Sequence, residues 1–378
     1  MPITVNDIVA ALFARAPREI AEPWDNVGLI VGDPQARVQR AVVCVDATAP
    51  IIAEAVRRRA QLVVAHHPLF VEPLKHVRAD EKDSAVAYRA ARAGVAVCSM
   101  HTNLDYAPNG LCVELARIMG LEDVKPLSSA GASSCVKLTV FVPPTHVDAV
   151  RGAIANAGGG VIGDYAECSF GVGGEGTYRP MPGAKPYAGT VGKLERAREV
   201  RLEMSVPRSA VGRAVRAMEA AHPYEKVAYD LYPLANEWPN SARGAQGTTA
   251  RAVSLAAFAR RAAGALRVRG LRISGDARRN VRLVAVGSGS GGHLVEDAVA
   301  AGADVLFLGE IRHADALTAR ARGLRLIEAG HFATELPAVG LMCRWLREDL
   351  GGRIAVMPSR VETDPMQAWQ APRGSAAK

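Results

Sequence analysis

The feature that most constrains this chain is an alternation, at both ends, of short apolar runs with stretches of helical periodicity. The first 125 residues read as helix Val5–Ala16, strand Ala41–Val45, helix Pro50–Ala60, strand Leu62–Ala65, helix Ser84–Gly94, strand Val95–Ser99 and helix Leu111–Gly120. Successive strands joined through helices are parallel, because a crossover long enough to hold a helix returns the chain to the end of the sheet where it started. The alternation returns between Arg251 and Arg360, with strands near Leu283–Val286, Val305–Leu308, Leu324–Glu328 and Ile354–Met357. The two stretches predict an α/β host in two similar halves with mostly parallel sheets.

Between them, LSSAGASS at Leu127–Ser134 and NEWPNSARGAQG at Asn236–Gly247 read as linkers by their small polar and turn-forming residues. The enclosed stretch has another order: strand Lys137–Val142, helix Thr145–Ala157, Gly-rich strands or a hairpin around Tyr165–Tyr178, strand Val200–Val206, helix Ser209–Ala221 and strand Val227–Tyr232. That β-α-β-β-α-β order is the ferredoxin-like signature. The expected layout is a first host half at 1–127, an inserted α+β domain at 135–236 and a second host half at 247–378, which suits a 378-residue chain too long for one core.

No apolar run reaches the roughly 18–20 residues that cross a bilayer, and Met1–Ala10 lacks the basic start and apolar core of a secretory signal. A membrane partner is not expected, and the cytoplasm is the expected compartment. The six cysteines form no C-x-x-C pair and several lie in apolar runs such as AVVCV, so they read as reduced core thiols. The net charge of +8 comes mostly from Arg dispersed through Ala-rich helical segments, with few aromatics beside it. Solvated helix faces account for it, and a nucleic-acid partner is not expected.

Three clusters carry chemistry. In VVAHHPLF, His66 and His67 follow a strand that Pro68 ends, and the carboxyl ends of parallel strands are where such sheets bind ligands. In VAVCSMHTNLD, the next strand gives way to His101, Asn103 and Asp105, and in a parallel sheet Asp105 emerges on the same edge. Taken alone, Asp105 and Asn103 could form an Asx-type turn. In LRLIEAGHFATELP, a strand ends at Gly330 and a helix starts near His331, which puts His331 and Glu335 four residues apart on one face. Imidazoles with carboxylates suit Zn, Mn, Fe or Co better than an all-oxygen calcium site. The loop Gly287–Gly292, GSGSGG, fits G-x-G-x-x-G formally, with Glu310 about 20 residues on, but no phosphate-binding Lys follows. It could contact substrate through Gly289 and Gly291, or let backbone approach a crowded metal pocket.

PWDNVGLIVGD at Pro23–Asp33, AHHPLF at Ala65–Phe70, HTNLD at His101–Asp105, the Gly287–Gly292 loop, GEIRHADAL at Gly309–Leu317 and AGHFATE at Ala329–Glu335 together resemble the NGG-one-interacting-factor-three family. Its bacterial members are often labelled GTP cyclohydrolase type two homologues, and its long forms carry a PII-like or CutA-like middle domain, which AHPYEKVAYDLYPL at Ala221–Leu234 resembles. The resemblance implies a toroidal homohexamer with two divalent metal ions per subunit, held by His66, His67, Asp105, His331 and Glu335. Glu335 is the expected bridging carboxylate, and Glu310, His101 and His313 are candidate proton-transfer groups. Two segments depart from the pattern: GEIRHADAL has Glu310 where many members have Asp, and Gly244–Leu255 is degraded against a glycine-rich family sequence. The expected function is metal-dependent hydrolysis of a nucleotide-like small molecule; the alternative is a non-catalytic metal-binding ring or carrier whose inserted domain senses a small molecule. Trp24, beside Asp25 and Asn26, could line a subunit interface or anchor the core.

Overall fold

The structure is a computed structural model that describes residues 2–81, 84–129, 135–162, 165–207, 210–234, 242–361 and 363–366. The chain divides into two compact units, Met1–Ala130 with Pro239–Lys378, and Gly131–Trp238.

The first unit holds two sheets. One runs β1 (Gly28–Val31), β4 (Ala96–Ser99), β3 (Leu62–Ala65), β2 (Arg40–Cys44) and β15 (Ala355–Pro358), parallel except where β1 pairs antiparallel with β4. The other runs β11 (Arg272–Ser274), β14 (Arg325–Glu328), β13 (Val305–Leu308), β12 (Asn280–Val286), β10 (Ala242–Ser254) and β5 (Glu122–Ser129), with β12, β13 and β14 parallel and the outer pairings antiparallel. Every residue of β3 and β13 is buried, as expected of central parallel strands covered on both faces. Each half of the host lends a strand to the other: β15, near the end of the chain, lies beside β2, and β5, from the first half, lies beside β10.

Helix starts follow local chemistry. The helix Val5–Arg15 opens on Thr4, whose side chain accepts from the Asp7 amide while the Asp7 carboxylate accepts from the Thr4 amide, satisfying two otherwise orphaned donors. The longest, Pro337–Leu350, starts on Pro337, where a missing amide costs nothing, and buries Leu341, Met342, Trp345 and Leu346.

The second unit has the order β6 (Cys135–Val142), helix Val147–Asn156, β7 (Phe170–Tyr178), β8 (Glu195–Pro207), helix Val211–Ala221 and β9 (Tyr229–Pro233). Its sheet runs β7-β8-β6-β9, all antiparallel, which is the ferredoxin-like strand order. Its core packs Leu138, Val140 and Met204 of the sheet against Ile154 and Met218 of the two helices. The Gly-rich stretch expected as strands or a hairpin around Tyr165–Tyr178 contributes one strand, β7, whose partner β8 starts at Glu195.

The two linker readings are narrowed at their outer ends. Leu127–Ser129 belongs to β5 and residues 242–247 to β10, while 130–134 and 235–241 lie outside the described residues. Two glycines of the second stretch serve close packing. A Cβ on Gly247 would sit 2.9 Å from the Glu122 carbonyl, and one on Gly244, at φ +69°, 2.8 Å from the Val286 carbonyl. Among the described residues no helix is long and apolar enough to cross a membrane.

Candidate metal centre

Strand register assembles the site. In the first sheet Cys44 lies opposite Ala65, and Ala65 opposite Ser99. The ladder continues past the strand ends, because the amides of His66 and His67 donate to the carbonyls of Cys44 and Val45 at 3.1 and 2.9 Å. The next neighbours across this edge are therefore Asp46 beside His67, and Met100 and His101 beside His66 and His67. From the other sheet, β14 ends at Glu328 and the chain turns through Gly330, at φ +97°, into the short helix His331–Glu335. Only glycine enters that conformation without strain, so Gly330 fixes where His331 emerges.

Glu335 is the centre of the cluster. It is 3% exposed and completely buried His66 accompanies it. Its Oε1 lies 3.0 Å from His331 Nε2 and 3.7 Å from His66 Nε2, and its Oε2 lies 3.0 Å from His67 Nε2. His66, His67 and His101 bring ring nitrogens within 4.8 Å of one another, and His67, His331 and Glu335 do the same with their ligand atoms. Asp105 lines the same cavity, where its Oδ1 accepts from the Ser288 hydroxyl at 2.6 Å.

Each imidazole is held from behind. Nδ1 of His66 faces the Met100 carbonyl at 2.8 Å, that of His67 the Asp46 carboxylate at 2.7 Å, that of His101 the Asp25 carboxylate at 2.9 Å, and that of His331 the Glu310 carboxylate at 3.1 Å. With the proton held on Nδ1, the Nε2 lone pair is left for a cation, the arrangement that fixes tautomer and raises basicity in metal-ligating histidines. His66 Nε2 and Glu335 Oε2 are buried with no hydrogen-bond partner among the described residues, so the short approach of His67 to Glu335 is not aligned as a hydrogen bond. Buried polar atoms without partners are rare, and a cation between them would satisfy both. The donor set thus fits a divalent transition metal.

The electrostatics without a cation lead to the same place. Burial opposes charge on His67, yet Asp46 and Glu335 raise it to about 10. The hydrogen bond to Glu335, working against burial, raises His331 to about 9. His66 also rises, because Glu335 and Asp105 outweigh its burial. Burial would raise Glu335, but the three imidazoles hold it far below the usual carboxylate range. Protons here compensate a concentrated negative charge that a metal ion would otherwise meet.

The glycine loop closes over the carboxylate. Gly289 has φ +49°, and a Cβ there would lie 2.4 Å from Glu335 Oε1 and 3.3 Å from the His331 ring. A Cβ on Gly291 would meet Leu308 at 2.9 Å, so Gly291 serves packing of the loop on β13. His313 opens the helix His313–Ala321, is exposed, and lines neither cavity beside the cluster. Glu310 stands behind His331, away from the Nε2 side. The cluster opens into one cavity of about 510 Å³, bounded by Trp24, Tyr106, Arg243 and His293, and into another of about 950 Å³, bounded by Asp46, Arg269, Arg272 and Glu310. Trp24 is 56% exposed at the mouth, its ring 5.9 Å from that of His101, so it is not a core anchor.

The Asp25 and Asp46 carboxylates complete the site beyond the residues that the sequence motifs mark. A signal existed for Asp46, which follows its strand as directly as His66 and His67 follow theirs.

An α/β host that gathers histidines and carboxylates at the ends of its parallel strands defines a protein with a candidate metal-binding site. Residues 3–365 match the family described as Duf34/NIF3 (NGG1p interacting factor 3), and the chain belongs to that family. A relative from Halalkalibacterium halodurans named "GTP cyclohydrolase 1 type 2 homolog" is 34% identical over 368 residues, covering 97% of this chain and 99% of its own. One of the same name from Mycobacterium leprae is 35% identical over 371 residues, covering 97% and 95%. Among solved structures, a Bacillus cereus protein related to NIF3 superposes with a TM-score of 0.67 at 31% identity, covering 98% of this chain and 100% of that one.

Proposed function

We propose that the chain is a metal-dependent hydrolase that holds two divalent ions, of zinc, iron, manganese or cobalt, and acts on a nucleotide-like substrate. The observation that carries this is the buried Glu335 carboxylate facing Nε2 of His66, His67 and His331, with two overlapping donor groups around it. His66, His67, Asp105, His331 and Glu335 would hold the ions, with Glu335 as the bridge and His101 as a further donor. When bound, a pair of such ions acidifies water and polarises the bond that the water attacks.

The chain's own residues do the rest. Asp46, Asp25 and Glu310 orient His67, His101 and His331 through Nδ1, and Ser288 directs its hydroxyl at Asp105. Arg243 bounds the 510 Å³ cavity and is held by Glu22 at 3.2 Å, a position suited to an anionic group on the substrate. The nucleotide class is supported by the name the relatives carry. We place the protein in the cytoplasm as a homohexamer, and read the inserted unit as a PII-like or CutA-like module; its ferredoxin-like strand order supports that reading.

The test is metal analysis of protein purified without added metal, followed by a nucleotide panel with Zn, Mn, Fe or Co, against a His66→Ala, Glu335→Ala double variant. About two ions per chain and turnover lost in the variant are expected. Turnover equal in the two proteins would overturn the hydrolase, and two ions without turnover on any substrate would favour the metal-carrier reading.

A further inference from the structure

The inserted unit contains a cavity of its own, of about 450 Å³, that has no part in the metal centre. Its wall is aromatic. Tyr224 stands at the middle, its ring centroid 6.3 Å from that of Tyr178 and 5.8 Å from that of Tyr187, and the three rings are tilted to one another by 42 to 55° where they meet. Tyr187 is 55% exposed, and the His146 ring meets it edge-on at 5.8 Å. The charged groups of the lining are Glu199, Glu225, Lys226 and Arg179, the last donating to the Gly192 carbonyl at 2.8 Å. The Glu199 carboxylate accepts from the Tyr224 hydroxyl at 2.9 Å through Oε1, and Glu225 accepts from the Lys185 amide at 2.8 Å. Gly176 leaves the room Glu199 uses, since a Cβ there would lie 2.1 Å from Glu199 Oε2. The Tyr178 hydroxyl donates to the Ala188 carbonyl at 2.8 Å, so its proton is not offered to a guest, and the carboxylates are the charged acceptors of the lining.

We propose that this cavity binds a small planar nitrogen heterocycle bearing an amino group, stacked on Tyr187 and Tyr224 with its donor edge at Glu199. The chemistry follows from the wall. Tilted tyrosine rings present negative π faces that favour a flat, electron-poor or cationic guest. A carboxylate beside them takes two parallel N–H donors. A few polar groups in a mostly apolar pocket is the usual make-up of a small-molecule site. Burial and the neighbouring Glu199 charge push the Tyr224 phenol up, so it stays a donor and keeps the carboxylate in place.

The experiment uses the full chain and saturation-transfer NMR with 2-aminobenzimidazole as the probe and 2-naphthoate as a flat anionic control. Binding of the probe and not of the control is expected. Tyr187→Ala and Glu199→Gln should each weaken it about tenfold, in line with the loss of one stacking face or one charge-assisted hydrogen bond. Tyr187 is largely solvent-facing and Gln keeps the shape of Glu, so unchanged thermal unfolding of both variants would separate a lost site from a lost fold. Equal binding of 2-naphthoate, or binding of the probe that survives in the Tyr187→Ala, Glu199→Gln double variant, would overturn the proposal.

Discussion

Removing the Asp46 carboxylate should weaken metal binding without removing any ligand. Asp46 Oδ1 accepts from His67 Nδ1 at 2.7 Å, and its other oxygen accepts from the Thr363 hydroxyl at 3.1 Å, so the carboxylate is oriented from two sides. In Asp46→Ala the imidazole loses both the acceptor that fixes its tautomer and the charge that raises its basicity. Losses of this kind typically cost about 10- to 100-fold in metal affinity, or about 1.4–2.7 kcal/mol. Asp46→Asn separates the two effects. Its amide oxygen can still accept from Nδ1, so only the charge-assisted part of the hydrogen bond, roughly half, should go, giving about a 3- to 10-fold loss. The assay is a zinc titration in competition with a chromophoric chelator, run beside the wild type at one pH. Wild-type affinity in both variants would show that the Asp46–His67 contact plays no part in metal binding, and with it the logic by which every imidazole here is held from behind.

Gly289→Ala would place a Cβ 2.4 Å from Glu335 Oε1 on a residue at φ +49°; we expect a destabilisation of about 1–3 kcal/mol in thermal unfolding and a drop in metal content measured by elemental analysis. Because His67 is raised to about 10 and His331 to about 9 in the metal-free protein, metal uptake at neutral pH should expel protons, and calorimetry in buffers of different ionisation enthalpy should count at least one. The same shifts give the metal-free chain stability that is full below the ordinary histidine value near 6.5 and declines as pH rises through 9 to 10, a fall that chemical denaturation across that range would register and that bound metal should abolish. Light scattering should report a mass near six subunits; a monomer at micromolar concentration would remove the ring, and a hexamer that persists in Trp24→Ala would leave the exposed Trp24 to the cavity mouth alone.

The sequence by itself determined the parts of this protein that depend on neighbours along the chain. Leu62–Ala65 and Val305–Leu308 are legible as strands because all their residues are apolar and turn signals bound them. His66 and His67 are legible as site residues because parallel strands release their ends on one edge, and His331 with Glu335 because four residues are one helical turn. The β-α-β-β-α-β order of the insertion is legible for the same local reason. Tertiary structure decided whatever depends on which strands become neighbours. That β2 lies between β3 and β15 makes Asp46 the partner of His67, and no spacing in the chain encodes that adjacency. The antiparallel pairing of β5 with β10 turns apparent linker residues into strand, because glycines at 244 and 247 allow backbones to approach where any side chain would collide. His313 and Glu310 sit three residues apart in the sequence, yet only Glu310 reaches His331: the turn before the helix His313–Ala321 sends the histidine to solvent, and the direction of a turn is set by what it packs against.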